Sequence, residues 1–183
     1  MEKERLIKIT RSNKYSPPEG PRPPQEHLLQ VYIGKARVLI PETPEYEEYD
    51  GLETGGLSTC VGIALCIPRG EESIFGIGHS IPSQHISRLV EQFEKQLREA
   101  GTDLRERRGF VELIPGQMTY YKEKSYLRNR ITRAGEYLRE RYPNLQPFPI
   151  SLVSYSVLSG HLSSRVKLLK GGRLIISGEG KAY

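Results

Sequence analysis

Cysteine is scarce in this chain of 183 residues: there are two, Cys60 and Cys66. They stand six residues apart in one apolar run, which on a strand puts them on the same side but roughly 20 Å apart at about 3.3 Å per residue, too far for a disulfide. Both read as free thiols, the state a reducing cytosol maintains. Histidine is nearly as rare, and His27, His79, His85 and His161 combine with the two cysteines in no zinc-binding spacing, so neither a metal nor a cofactor is expected. Long apolar runs are missing too. No segment is long enough to span a bilayer, and the start, MEKERLIKITRSNKY, lacks the apolar core of a signal peptide. The expectation is a cytoplasmic protein with no membrane insertion. Nor is one sign of charge dominant: 27 basic and 22 acidic residues are scattered along the chain, a solvated surface that does not select a partner. There is no internal repeat.

What is present falls into two parts. Residues 1–27 read as an N-terminal extension, because SPPEGPRPPQ, Ser16 to Gln25, carries five prolines and no apolar period, as a spacer does. Residues 28–183 read as one domain. Leu28 to Ile40 has β-branched residues at Val31, Ile33, Val38 and Ile40 and is expected to be the first core strand, with Gly34 as a bulge. PETPEYEEYDGLE reads as a surface loop. Ile86, Leu89, Val90, Phe93 and Leu97 recur at helical spacing, with Ser83 as N-cap and Gly101 as the stop. Arg108 to Ile114 reads as a strand, and QMTYYKE as a second extended piece. A second helix follows Ser125 and runs to about Arg141 on Leu127, Ile131, Ala134 and Leu138, its arginines on a solvated face. Pro147 to Gly160 is rich in β-formers, and SRVKLLKGGRLIIS reads as a hairpin turning at Lys170, Gly171 and Gly172. The fold class predicted is α+β: a layered domain of mostly antiparallel or mixed sheet with two main helices packed against it.

The stretch TGGLSTCVGIALCIPRGEESIFGIGHS, Thr54 to Ser80, carries the chemistry. If VGIALCI and SIFGIGH form a hairpin centred between Arg69 and Gly70, Cys60 falls directly opposite His79, with β-carbons roughly 4.5 to 5.5 Å apart. Large residues then face small ones: Val61 and Ile63 meet Gly78 and Gly76, and Gly62 and Ala64 meet Ile77 and Phe75. A thiol beside an imidazole can act as a nucleophile with its own base. The preceding TGGLST turn offers N–H groups for an oxyanion through Gly55, Gly56, Ser58 and Thr59, and hydroxyls at Thr54, Ser58 and Thr59 to orient the ring. A cysteine in an apolar strand is more often a buried structural thiol, which is the reading of Cys66; for Cys60, spacing alone leaves the two readings level.

These residues resemble the CheD-type chemoreceptor glutamine deamidases. TGGLSTCV is similar to that family's Thr-(Leu)-Gly-Leu-Gly-Ser-Cys-Val signature, and GIGHSIP to its Gly-Gly-Met-Ala-His-x-x-x-Pro signature. The resemblance extends weakly from about Val31 to Ser177 and implies a layered α/β fold shared distantly with cytotoxic necrotizing factor catalytic domains. It implies Cys60 as nucleophile, His79 as catalytic histidine and Thr54 as third member. Three segments differ: Thr59 stands where the family has Ser or Gly, FVELIPGQ replaces a Gly-rich segment, and SGHLSSRV, with Arg165, replaces a Gly-Gly-x-x-Gly-Arg stretch.

The resulting expectation is a cofactor-free cysteine hydrolase, a protein-glutamine glutaminase, acting on a protein with an exposed glutamine, a chemoreceptor if the family role is kept. The resemblance also implies glutamate methyl ester hydrolysis. A second reading is a non-catalytic CheD-like module that docks a regulatory signalling partner, a phosphatase or response regulator. A third, a basic nucleic-acid binder using the arginine-rich second helix, ranks last, since no aromatic interleaving accompanies the arginines; no nucleic acid is expected as partner.

Overall fold

The computed structural model describes residues 8–11, 25–116, 121–149 and 163–179. In chain order its elements are β1 (Lys8–Arg11), β2 (Leu28–Gln30), β3 (Ala36–Leu39), α1 (Pro44–Glu48), β4 (Gly51–Leu57), β5 (Val61–Arg69), β6 (Glu72–His79), α2 (Ser87–Glu99), β7 (Gly109–Pro115), α3 (Tyr121–Arg141), β8 (Leu145–Pro149), β9 (Ser163–Leu169) and β10 (Arg173–Glu179). They form two five-stranded mixed sheets, ordered β1-β10-β9-β4-β2 and β3-β6-β5-β7-β8. The α+β layered fold is as expected, and α2 and α3 are its two substantial helices. Most of the proline-rich stretch (residues 12–24), the start of QMTYYKE (117–120) and most of the segment after Pro149 (150–162, with His161) lie outside the described residues.

Two cores separate three layers. Leu52, Leu57, Ala64, Cys66, Phe75, Ile77, Val166 and Leu168 fill the space between the sheets. On the far side of the second sheet, Val61, Ile63, Leu65 and Ile67 of β5 meet Leu89, Phe93 and Leu97 of α2 and Ala134 and Leu138 of α3. β5 is therefore buried on both faces, which is why its sequence is a continuous apolar run and not an alternating one.

Several local expectations are corrected. Leu28 to Ile40 is not one strand: β2 belongs to the first sheet and β3 to the second, and Gly34 lies in the tight turn that carries the chain between them. The loop after Ile40 contains the single turn α1, with Thr43 as its N-cap. α2 begins at Ser87, because residues 82–86 are taken up by turns, including Gln84 N–H to Ile81 C=O at 3.0 Å. Its end is as read: Gly101 N–H bonds to Arg98 C=O at 2.9 Å and Thr102 N–H to Leu97 C=O at 2.8 Å, the paired bonds of a Schellman stop. α3 starts at Tyr121, so the extended piece expected through Glu123 is helix in its described part. The β9–β10 hairpin turns at Lys170, Gly171 and Gly172 as predicted, with Leu169 opposite Arg173. Lys8–Arg11, within the stretch read as an extension, lies parallel beside β10.

The β5–β6 register is the correction that matters most. His79 stands opposite Gly62, and the last pair is Arg69 with Glu72, so the hairpin is centred between Gly70 and Glu71. Faces are unchanged, because a shift of two residues preserves the side-chain period of a strand. Large still meets small, now as Ile63 with Gly78 and Leu65 with Gly76. Those two glycines make room for α2: a β-carbon at Gly76 would lie 2.9 Å from Phe93 Cε1 and 3.2 Å from Val38 Cγ1. Gly76→Ala should therefore overpack the helix–sheet core and cost about 1–3 kcal/mol of stability, read as a lowered midpoint in denaturant unfolding.

Candidate active site

The first sheet supplies Thr54. In β4, Thr54 pairs with Val166 and Leu57 with Ser164, so three steps on one strand answer two on the other: a bulge at Gly55 and Gly56. Gly56 takes φ 73°, a left-handed conformation that side chains resist, and the extra residue lets both Thr54 and Leu57 turn inward. Gly55 and Gly56 thus belong to the strand and not to a free turn before the cysteine, as had been expected. The bend itself is Ser58 to Cys60.

The second sheet supplies His79, at the end of β6. Its backbone is clamped by the turn between β2 and β3, with Gly34 N–H donating to His79 C=O at 2.6 Å and His79 N–H to Lys35 C=O at 2.9 Å. The imidazole is buried, and its Nδ1 lies 2.8 Å from Thr54 Oγ1. The same hydroxyl donates to Val31 C=O at 2.7 Å. A hydroxyl has one proton, and Thr54 spends it on Val31; its oxygen therefore accepts from Nδ1–H. This fixes the tautomer. The lone pair is on Nε2, which is buried and has no hydrogen-bond partner.

Cys60 is not directly opposite His79. It lies two residues before Gly62, His79's cross-strand partner, and so on the diagonal, a position about 7 Å away in a regular ladder and within reach of a long side chain. Its side chain is buried in the same inter-sheet core as Leu57 and Ile77. The bend that carries it is held just past the end of β7, where Gly116 N–H donates to Cys60 C=O at 2.9 Å. A β-carbon at Gly116 would come within 2.3 Å of Ser58 C=O, so no larger residue fits without moving the bend. The N–H groups of Ser58, Thr59 and Cys60 donate to no backbone carbonyl among the described residues. They, more than Gly55 or Gly56, are the donors free to meet an oxyanion.

Two further contributors went unread in the sequence. Arg130 of α3 reaches over the site, donating to Ser80 Oγ at 3.1 Å, to Ile81 C=O at 2.9 Å and to Gln84 C=O at 3.1 Å, with Thr59 C=O at 3.4 Å. It ties the cysteine bend to the segment after the histidine. Its spacing from Ala134 and Leu138, four and eight residues, was the available signal, since those positions share a helix face. Ser164, opposite Leu57, has a fully buried hydroxyl without a partner in the inter-sheet layer. Cys66 is buried in the core away from this end, opposite Phe75, and His27 and His85 are exposed. Among the described residues no three His, Cys, Asp or Glu side chains converge as metal ligands do.

Burial sets the electrostatics. It pushes the Cys60 thiol up from its ordinary range, an effect partly offset by the Arg130 charge and a hydrogen bond with Thr59. It lowers His79 to about 4. The resting pair is neutral thiol and neutral imidazole, and no thiolate–imidazolium pair is stored. The same shift affects folding. An unfolded imidazole titrates near 6.5, so between that value and about 4 the unfolded chain binds a proton that the folded chain refuses. The protein is then fully stabilised with respect to this group above pH 6.5 and loses about 3 kcal/mol as pH falls toward 4. In His79→Gln the loss of stability on acidification from neutral pH should be smaller by about that amount, measured by urea unfolding at each pH.

A scan against protein-family models finds no match to this chain, and a search of curated proteins finds none either.

Proposed function

We propose that the protein is a cofactor-free cysteine hydrolase that converts glutamine side chains of a protein substrate to glutamate. The observation that carries this reading is the fixed histidine tautomer: Thr54, committed to Val31, takes Nδ1–H and leaves a buried, unpartnered Nε2 in the layer that holds the Cys60 thiol. A ring kept only for packing would have both nitrogens paired, whereas here one is bonded and the other is left without a partner.

In this mechanism the Cys60 sulfur attacks the side-chain amide carbonyl as its proton passes to His79 Nε2. Since neither group is ionised at rest, proton transfer accompanies attack, in the manner of a serine–histidine pair. The oxyanion meets the N–H groups of the Ser58–Cys60 bend. Collapse breaks the carbon–nitrogen bond, and the imidazolium proton leaves with the nitrogen as ammonia. Water then adds to the thioester carbonyl, giving its proton to Nε2. Release of the sulfur, reprotonated from the ring, yields glutamate and free enzyme. A glutamate methyl ester would pass through the same acyl-enzyme and release methanol.

A second reading, a protein-binding module without turnover, draws on one observation: burial raises the Cys60 thiol instead of activating it. Under that reading, iodoacetamide should react with Cys60 at the same rate whether residue 79 is His or Gln, whereas a working base on Nε2 makes the rate depend on it.

Incubated with candidate proteins bearing exposed glutamines, the enzyme should release ammonia and produce the amide-to-acid mass change, and Cys60→Ala should abolish both. Thr54→Val, which frees the ring to adopt the other tautomer, should lower kcat about 100-fold or more. The acid limb of the rate profile should fall at about pH 4, where Nε2 becomes protonated. Turnover surviving Cys60→Ala would sink the assignment.

A further inference from the structure

The two sheets end side by side, at β2 in one and β3 in the other, and these neighbouring edges are treated in opposite ways. The edge of β3 is closed by side chains of α2. Gln92 Oε1 accepts from Ala36 N–H at 2.8 Å and Gln96 Oε1 from Val38 N–H at 3.2 Å, while their amide groups donate to Gly34 C=O at 3.2 Å and Ala36 C=O at 3.0 Å. Two glutamines one helical turn apart thus stand in for a neighbouring strand. Among the described residues the edge of β2 has no such cover. Val31 N–H bonds to Glu53 C=O at 2.8 Å, so by the alternation of a strand the odd-numbered residues face β4, while the N–H and C=O groups of Leu28 and Gln30 face outward. They face into a groove of about 720 Å³ bounded on its other side by α2.

The groove carries a sign. Lys35, Arg37 and Lys95 line it with one carboxylate, Glu99, and none of the three cations pairs with a carboxylate among the described residues. Tyr32 on its rim is 74% exposed. Uncovered strand edges are usually blunted, and a neighbouring edge in this same fold is. An open edge in a basic groove suits one kind of occupant. The sequence Ser16 to Gln25 lacks that chemistry: five of its ten residues are prolines, which cannot donate to a ladder, and its charges, Glu19 and Arg22, cancel.

We propose that this groove is a docking site for an extended, acidic segment of a partner protein, which adds to the first sheet as a strand beside β2 and meets Lys35, Arg37 and Lys95 with its side chains. The inference stands apart from the chemistry proposed for Cys60. It does place the partner against Tyr32 and Lys35, within the Val31–Lys35 turn that holds Thr54 and His79.

The probe is a displayed library of short random peptides, selected against the full chain. Enriched sequences should alternate Glu or Asp with β-formers, and a synthetic peptide of that sequence should slow amide hydrogen exchange at Leu28 and Gln30. Its affinity should fall about ten-fold or more with Arg37→Glu plus Lys95→Glu, exposed positions whose replacement leaves the unfolding midpoint in place, and with N-methylation of alternate peptide residues. Binding should be unchanged in Cys60→Ala, so failure of the hydrolase reading leaves this result intact. Failure to enrich acidic peptides, indifference to the charge reversals, or protection of Leu28 and Gln30 by a concentration-dependent dimer without peptide would overturn the proposal.

Discussion

One proton on Thr54 organises the site. Because the hydroxyl donates to Val31 C=O, it accepts from His79 Nδ1, and that bond is also a polar link between the two sheets: Thr54 lies in β4 of one, His79 in β6 of the other. In this largely apolar layer, a buried imidazole and hydroxyl left unpaired would each carry a desolvation cost of about 1–3 kcal/mol. Pairing them removes most of that cost and directs what is left to Nε2. Nε2, the nitrogen proposed to act as base, is the polar atom of the chain Val31–Thr54–His79 left unsatisfied among the described residues.

The position of this chain follows from where the backbone crosses between sheets. From β2 to β3 the crossing is the turn through Gly34; from β4 to β5 it is the bend Ser58–Cys60. Both crossings run from the first sheet to the second. At such points the ladder is interrupted, so carbonyls such as that of Val31 and N–H groups such as those of Ser58–Cys60 become available for other partners. The first crossing orients His79 and the second carries Cys60, the base and nucleophile of the proposed mechanism. Arg130 of α3 and Gly116, just past the end of β7, hold the second crossing in place. The bulge at Gly55–Gly56 solves a parity problem: without the extra residue, Thr54 and Leu57 could not both face the layer.

How much of this could be read from residue order depends on the range of the physics involved. The α+β class, the two helices, the Gly101 stop and the closing hairpin at Lys170–Gly172 rest on local periods and turn chemistry, and they stand. The β5–β6 pairing was read one turn position early, because the large-to-small matching of Ile63, Leu65, Gly76 and Gly78 is satisfied equally by registers two apart. What decides between them is Gly70, whose φ of 64° suits the first position of a two-residue loop, and Phe93 seated over Gly76, a contact 17 residues distant in the chain and invisible to a strand-pair argument. Cys60, His79 and Thr54 were legible as residue types at a spacing, and Thr54 with His79 is in bonding contact. Val31's part was not, since a backbone carbonyl carries no residue signature.

The low dielectric around Cys60 and His79 also limits the form the proposed nucleophile can take. Ionising Cys60 and His79 together in the inter-sheet layer would bury two charges, and burial acts against both: it raises the thiol and depresses the imidazole. Arg130 is the positive charge that offsets the burial of Cys60, and it is only half-buried and bonded to four acceptors along the bend and the segment after His79. Its bonds to the carbonyls of Thr59, Ile81 and Gln84 keep it in place above the thiol whether or not negative charge is there. In the proposed mechanism the stabilisation it provides would thus be available without reorganisation at the moment charge appears on sulfur or on the substrate oxygen. A fold that stored the ion pair in advance would have to stabilise two charges continuously; under the proposed mechanism this one would have to stabilise them only while bonds are changing.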